Sequence, residues 1–357
     1  MNKRRILYII AFIFFLVIIA CLFIGREVWQ WSRFLATPII PANKELIYII
    51  KPGATLSEVA HDLQNQGYLQ DPNYLIWLAD WRGYKTKLKA GEYQFKGGIR
   101  PWQLLQQIVT GKVMQHTVTF IEGWTFAQMQ ARLNVAPSLT HNTMNKPNDQ
   151  IMSTLKATES NPEGLFYPDT YKYTYGTTDV DILKISYHLM QQKLQSIWPN
   201  RAPDLPYKTQ YEALIVASLI EKEAKHPEDR PLIASVIVNR LQKNMPLQID
   251  ATVIYARGAN YRVVIKAKDL KSESPYNTYK HKGLPPTPIC MPSFASIQAA
   301  LHPATTNNLY YVAKGDGKHI FSETLAEHHA AVKKYLRAFP KAAFDRSFIT
   351  NNRRNNK

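Results

Sequence analysis

From Ile6 to Ile24 the chain runs nineteen residues without a charge, almost all of them apolar. At 1.5 Å per residue a helix of that length measures roughly 28 Å, close to the ~30 Å hydrocarbon thickness of a bilayer. Lys3, Arg4 and Arg5 precede it. The positive-inside rule therefore keeps residues 1–5 in the cytoplasm and exports the remainder. Trp29 and Trp31 follow where an interfacial aromatic belt belongs. The pattern predicts a transmembrane helix over 6–24 and a Pro-containing linker over 25–44. A cleaved signal peptide is the alternative, but its apolar core usually spans about 7–15 residues and ends in an A-x-A-like site.

Beyond the linker, short periods alternate. Glu45 to Ile50 is β-branched and alternating, a strand. Lys51-Pro52-Gly53 turns the chain. Thr55 and Glu58 have the capping-box spacing, and Leu56, Val59, Ala60 and Leu63 form the apolar face of the helix they start. Gly67 stops it. Tyr74–Trp81 and Pro101–Ile108 read as helices, and Lys89–Phe95 and Met114–Ile121 as strands. Residues 136–160, rich in Asn, Thr, Ser and Pro with weak periodicity, predict a flexible insertion. The aromatics Phe166, Tyr167, Tyr171, Tyr173 and Tyr175 either stack on sugar rings or build core.

The segment Lys208–Lys225 is the most informative. Thr209 and Glu212 form another capping box, which gives Glu212 a structural role. At about 100° per residue, Ile215, Val216, Leu219 and Ile220 make one stripe, and Glu223 falls in the middle of it. Glu221 falls on the opposite face beside Leu214 and Ala217, as a surface or capping carboxylate. A buried carboxyl without a partner costs several kcal/mol or stays protonated. A carboxyl protonated near neutrality is what a general acid needs at a glycosidic oxygen. The alternatives are pairing with Arg230 or Arg240, or fraying at the helix end. Pro227, Asp229 and Pro231 open a second helix; Met245–Tyr255 reads as extended, leading into a short element. Residues 274–286 form a loop dense in Tyr, Asn and Pro, either lining a ligand site or serving as a rigid connector.

Composition narrows the chemistry. In 357 residues, Lys plus Arg (44) exceeds Asp plus Glu (27), a net +17 that suits an anionic partner. The charge is dispersed, without a basic block or nucleic-acid-binding signature, so nucleic acid is not the expected partner. Cys21 lies in the apolar run and Cys290 far away, which rules out an intramolecular disulfide. Ile18-Ile19-Ala20-Cys21 has the spacing of a lipoprotein cleavage site, yet Leu22-Phe23-Ile24 carry the apolar run past it. No Cys/His cluster has zinc spacing and no His forms HExxH, so neither metal nor cofactor is expected.

Several motifs in order then carry a family likeness: Ala217-Ser218-Leu219-Ile220-Glu221-Lys222-Glu223, Val238-Asn239-Arg240-Leu241, Leu247-Gln248-x-Asp250-x-Thr252-Val253-Ile254-Tyr255, Tyr276-Asn277-Thr278-Tyr279 and Gly283-Leu284-Pro285-Pro286. Glu163-Gly164-Leu165-Phe166-Tyr167-Pro168-Asp169-Thr170 and Ile121-Glu122-Gly123 add to them. Together they resemble the endolytic murein transglycosylases, the YceG-like membrane-bound lytic enzymes. The likeness implies an α+β protein of the bacterial inner membrane, crossing it once. Its LysM-like subdomain would span 45–115, although only the first half of that module, Tyr48 to Leu56, fits well; a plain α+β spacer is the alternative. A mixed α/β catalytic domain with a lysozyme-like active-site helix would fill 116–340, outside the cytoplasm, before a basic tail over 341–357.

The likeness also implies lytic cleavage between N-acetylmuramic acid and N-acetylglucosamine within nascent strands. Glu223 would be the catalytic acid, and Gln248, Asp250, Tyr255, Asn277 and Tyr279 would position substrate. Peptidoglycan strands and peptidoglycan synthases are the implied partners. Ala224 stands where the family carries Thr or Ser, and Ala251 where it carries Pro. A non-catalytic, membrane-anchored wall-binding scaffold is the competing reading.

Overall fold

The computed structural model describes residues 3–258 and 265–335. The expected tail over 341–357 lies outside them. The chain divides into two compact units: residues up to His116 together with Tyr173–Gly176, and Thr117–Lys172 together with Thr177 onward. The architecture is α+β, with small two-stranded sheets among many helices.

In the first unit, α1 (Lys3–Ala36) is one 34-residue helix. Residues 25–36, expected as linker, thus extend the apolar helix; Trp31, Phe34 and Leu35 pack against the unit's core, and that packing carries the helix on. The helix has the length and composition to cross a membrane over Leu7–Ala36. Then follow β1 (Leu46–Ile50), α2 (Leu56–Asn65), α3 (Pro72–Trp81), β2 (Gly91–Phe95) and α4 (Pro101–Thr110). β1 and β2 pair antiparallel, Leu46 facing Phe95, Tyr48 facing Tyr93 and Ile50 facing Gly91. Alternation sends Tyr48, Ile50, Tyr93 and Phe95 inward against Leu63, Leu75 and Ile108. The Thr55–Glu58 capping box forms as its spacing predicts.

The second unit holds β3 (His116–Thr119) paired with β4 (Thr170–Tyr173), with α5 (Phe126–Asn134) and α6 (Asn148–Thr154) between them. After α7 (Asp179–Ile197) come α8 (Gln210–Glu223), α9 (Asp229–Gln242), α10 (Asp250–Ala256) and α11 (Phe294–Leu301). The hairpin β5 (Tyr310–Ala313) and β6 (His319–Ser322), then α12 (Leu325–Tyr335), end the described chain. The Thr209 capping box starts α8. Every residue from Ala213 to Ile220 is buried, so α8 is a central helix and not an amphipathic one; α9, α10 and α11 enclose it.

One expectation is corrected, and one open alternative is narrowed. Residues 136–160 are folded: Leu139, Ile151, Met152 and Leu155 are buried. What ties the segment down is Asp179, fully buried. Its carboxylate accepts from the Asn142 and Thr143 amides (2.9 and 2.8 Å) and the Thr143 hydroxyl (2.6 Å). The anchor is a distant acid, so the segment's own periodicity stays weak. The aromatic cluster is chiefly core, with Phe166, Tyr171 and Tyr173 all buried.

Asp179→Ala strands two buried donors on Thr143 and a half-buried one on Asn142, and should cost about 2–4 kcal/mol. The expected result is faster tryptic cleavage at Lys156 with a lowered Tm; an unchanged digestion pattern would show that Asp179 does not hold the segment.

Candidate active site

Glu223 is the last residue of α8, and the chain leaves the helix at Ala224 in an extended conformation (ψ 116°). This exit ends the helix and leaves the Glu223 carboxyl half-buried beside side chains of β5 and α10. The Tyr311 hydroxyl on β5 donates to its Oε2 at 3.1 Å. Asp250, at the start of α10, stands close enough to repel it. Among the described residues, no Lys, Arg or His lies within ion-pair distance of Glu223. Arg230 donates to Ser296 instead, and Arg240 to carbonyls. Burial, seconded by Asp250, pushes the Glu223 carboxyl up to about 7; the Tyr311 hydrogen bond opposes this. Asp250 is also raised by burial. It accepts a 2.5 Å hydrogen bond from the Tyr279 hydroxyl.

Glu221, two residues earlier, has a different task. Its Oε2 accepts from the Ser293 amide (3.0 Å), the Ser293 hydroxyl (2.5 Å) and the Ser296 hydroxyl (2.6 Å). It thereby satisfies donors at the N-terminus of α11 and fixes the end of α8 against that helix. Lys222 between them donates to the Gly123 carbonyl at 3.1 Å.

The Val238–Leu241 motif frames the site. Asn239 donates to the carbonyls of Thr306 (2.8 Å) and Asn308 (2.9 Å). Buried Arg240 donates to Leu309 (2.6 Å), to Pro246 and Leu247 (3.0 Å each) and to Oε1 of Gln248 (3.1 Å). One guanidinium therefore holds both the 245–248 segment and the strand entry that carries Tyr311. Gln248 adopts a left-handed backbone (φ 57°), unusual for a residue with a side chain. Its amide donates to the Thr278 carbonyl at 3.1 Å.

The five expected positioning residues separate. Asp250 and Tyr279 share the neighbourhood of Glu223, and Gln248 borders it through Arg240. Tyr255 does not point there. At the far end of α10, its hydroxyl donates to Glu163 at 3.1 Å and its ring lies 5.0 Å from Tyr276. Asn277 is fully buried. Its amide donates to the carbonyls of Leu270 (3.1 Å) and Ser272 (2.8 Å), and its oxygen accepts from the Tyr279 amide (3.1 Å). It shapes the loop that presents Tyr279 and has no face left for a ligand.

Three groups escaped the sequence reading. Tyr311 lies 88 positions from Glu223 with no local pattern linking them. Its ring meets His319 edge-on at 5.3 Å and Phe321 at 6.1 Å, an aromatic wall beside the carboxyl. His319 is held in turn by buried Asp229 through its amide (3.0 Å) and Nδ1 (2.8 Å). Glu163 is the third: buried, raised to about 7 by that burial, and bonded to the Phe126 amide at the start of α5 (3.0 Å). Gly164 (φ 78°) follows it because Pro288 packs where a Cβ would stand.

A carboxyl raised to about 7, a neighbouring acid and aromatic walls suit acid–base chemistry. No group of three or more His, Cys, Asp or Glu side chains among the described residues could hold a metal ion. Comparison with known proteins agrees in kind. The YceG-like family model matches residues 48–334. A Bacillus subtilis (strain 168) protein named endolytic murein transglycosylase is 32% identical over 328 residues, 86% of this chain and 89% of the relative. A protein of the same name from Streptococcus pneumoniae D39 is 28% identical, matching 92% of this chain but 65% of its own length. The crystal structure of a YceG-like protein from Listeria monocytogenes superposes with a TM-score of 0.51 at 28% identity, covering 80% of this chain and 99% of that one. A family match over most of the chain, and a relative aligned along nearly its whole length, make this chain a member of the YceG-like family.

Proposed function

We propose that this protein is a membrane-anchored lytic transglycosylase. It cleaves the β-1,4 bond from N-acetylmuramic acid to N-acetylglucosamine within nascent peptidoglycan strands, leaving 1,6-anhydro ends and terminating elongation. The observation that carries this reading is the Glu223 carboxyl, raised to about 7 by burial in a chain whose named relatives are endolytic murein transglycosylases. The apolar helix α1 supports an uncleaved single-pass anchor in the bacterial inner membrane, with the site outside the cytoplasm. Peptidoglycan synthases, which make the nascent strand, are the partners this placement favours.

Protonated Glu223 donates to the glycosidic oxygen as the bond breaks. The substrate's acetamido group stabilises the positive anomeric carbon. Glu223, now ionised, takes the proton from the C6 hydroxyl, whose oxygen closes the anhydro ring. The Tyr311 hydrogen bond favours the ionised state this second half-step needs. Asp250 favours the protonated state of the first. One group serves both half-steps, so water is not consumed and a paired catalytic carboxylate is unnecessary. Asp250, Tyr279 and Gln248 position the strand.

A second reading, a wall-binding scaffold, draws on the first unit. There a groove of about 970 Å³ is lined by Trp102, Gln103, Gln106, Gln107 and Gln115. An indole face and a row of amides match the apolar faces and hydroxyls of sugar rings. Trp102→Ala should weaken retention on insoluble peptidoglycan several-fold in a pull-down; if Glu223→Gln protein still binds but wild type releases no anhydro product, the scaffold reading prevails.

Glu223→Gln should lower product release from defined glycan strands by about 10³-fold or more, while Glu221→Gln retains most activity with a reduced Tm. Oxygen-18 entering the product from labelled water would mark a hydrolase and refute the lytic scheme. The same Glu223→Gln should stabilise the fold. Folded Glu223 holds its proton to about 7 and an unfolded Glu only to near 4.5. The folded state therefore binds more protons between those values, and stability falls as pH rises through them. Removing the group should gain up to about 3 kcal/mol at pH 8 and little at pH 4, read as Tm against pH.

Cleavage should decline as pH rises through about 7, where Glu223 loses its proton. Tyr311→Phe removes a hydrogen bond that favours the carboxylate, so it should shift the alkaline limb to higher pH. A limb that stays put or moves down would separate Tyr311 from the titration of Glu223.

A further inference from the structure

Helix α3 carries Tyr74, Trp77 and Trp81 at i, i+3 and i+7, one stripe along its surface. Tyr74 begins the stripe and is buried against α1. Its ring lies 6.0 Å from Trp31 and 5.6 Å from Phe34, and its hydroxyl donates to Glu27 (3.1 Å) and Gln30 (2.7 Å). Trp77 stands edge-on to Tyr74 at 5.6 Å. From there the stripe runs out of the protein, with Trp77 55% and Trp81 75% exposed. Trp29 on α1 is exposed as well. These indoles contribute little to the core that α3 otherwise fills with Leu75, Leu78 and Ala79.

The charges around the stripe have one dominant sign. Arg82 lies over the Trp81 ring at 5.5 Å. Lys85, Lys87 and Lys89 follow, and the acid of this stretch, Asp80, is paired with Lys85 at 3.8 Å. The attachment to α1 also sets a depth. The uncharged run ends at Ile24. Glu27 to Phe34, which Tyr74 grips, lie roughly 5–15 Å further along the helix axis. A headgroup layer occupies about the first 5–8 Å outside the hydrocarbon. Tyr74 therefore enters α3 at the outer margin of that layer, within side-chain reach of the depth where Trp and Tyr gather at a membrane interface.

We propose that α3 is a membrane-docking surface. Trp77 and Trp81 insert at the headgroup layer of the bilayer that α1 crosses, while Arg82, Lys85 and Lys87 meet anionic phospholipid headgroups. The proposal rests on reading α1 as an anchor and is independent of the cleavage chemistry. Docking gives the first unit a second attachment beside the helix, and so a fixed height above the bilayer.

The test uses the full chain in nanodiscs of phosphatidylcholine with and without phosphatidylglycerol. In a Cys21→Ser background an environment-sensitive fluorophore is placed at Thr86→Cys, just past α3, and at Gln106→Cys on α4 as the comparison; Cys290 is buried. The expected result is blue-shifted emission at 86, quenched by lipid-borne nitroxide at least twofold more than at 106, and more strongly with phosphatidylglycerol. Trp77→Ser/Trp81→Ser should abolish that difference while the protein still floats with vesicles. Equal quenching at 86 and 106 in inserted protein overturns the docking but leaves the anchor standing. Protein that fails to float overturns both. Shielding of position 86 in native membranes but not in pure lipid would assign the stripe to a protein partner and reject the lipid.

Discussion

The removal of one carboxyl from water is the constraint on which the rest of the site depends. Glu223 is half-buried beside another acid and, among the described residues, has no cation to pair with, so its carboxyl keeps its proton up to about 7, well above an exposed glutamate. Any Lys or Arg within reach would reverse this. The structure provides cations nearby and directs each elsewhere: Lys222 to a carbonyl, Arg230 to Ser296, Arg240 to four acceptors. The geometry of α8 follows from the same need. A helix buried all round and ended abruptly at Ala224 delivers its last side chain inward, where a solvated terminus would have let it reach water.

The two acids of one short motif show how environment divides identical chemistry. Glu221 receives three hydrogen bonds from α11 and works as an anion that fixes position. Glu223 receives one, from a tyrosine, and remains available for proton transfer. The first makes the second accurate, because the joint between α8 and α11 sets where the final residue of α8 points. Glu163 shows that a raised carboxyl alone is not a site: burial pushes it up to about 7 as well, yet its bonds to the Phe126 amide and Tyr255 give it a structural task.

What the sequence disclosed follows the range of the interactions. Capping boxes at Thr55 and Thr209 are local, and both form as their spacing requires. Glu223 was legible from apolar neighbours within two turns and from a motif, although the amphipathic face inferred for α8 was wrong because both faces are buried. Tyr311, His319 and Asp229 were invisible, since they come together only when the β5–β6 hairpin folds beside α8 and α9. For Asn277 the residue type left two roles open. An Asn between tyrosines in a Pro-rich loop resembles a ligand contact, but the same amide serves equally well to tie a loop's backbone, and here it is fully consumed. Residues 136–160 looked loose because the acid that secures them, Asp179, lies beyond their end.

Arg240 has a mechanical consequence. The 245–248 segment and the residues leading into β5 hang from a single planar group whose donors are shared between them. Neither segment can swing away alone without leaving part of a buried guanidinium unsatisfied, a loss of several kcal/mol. The two segments therefore behave as one rigid clamp, so that a displacement of Gln248 is carried to the strand that bears Tyr311.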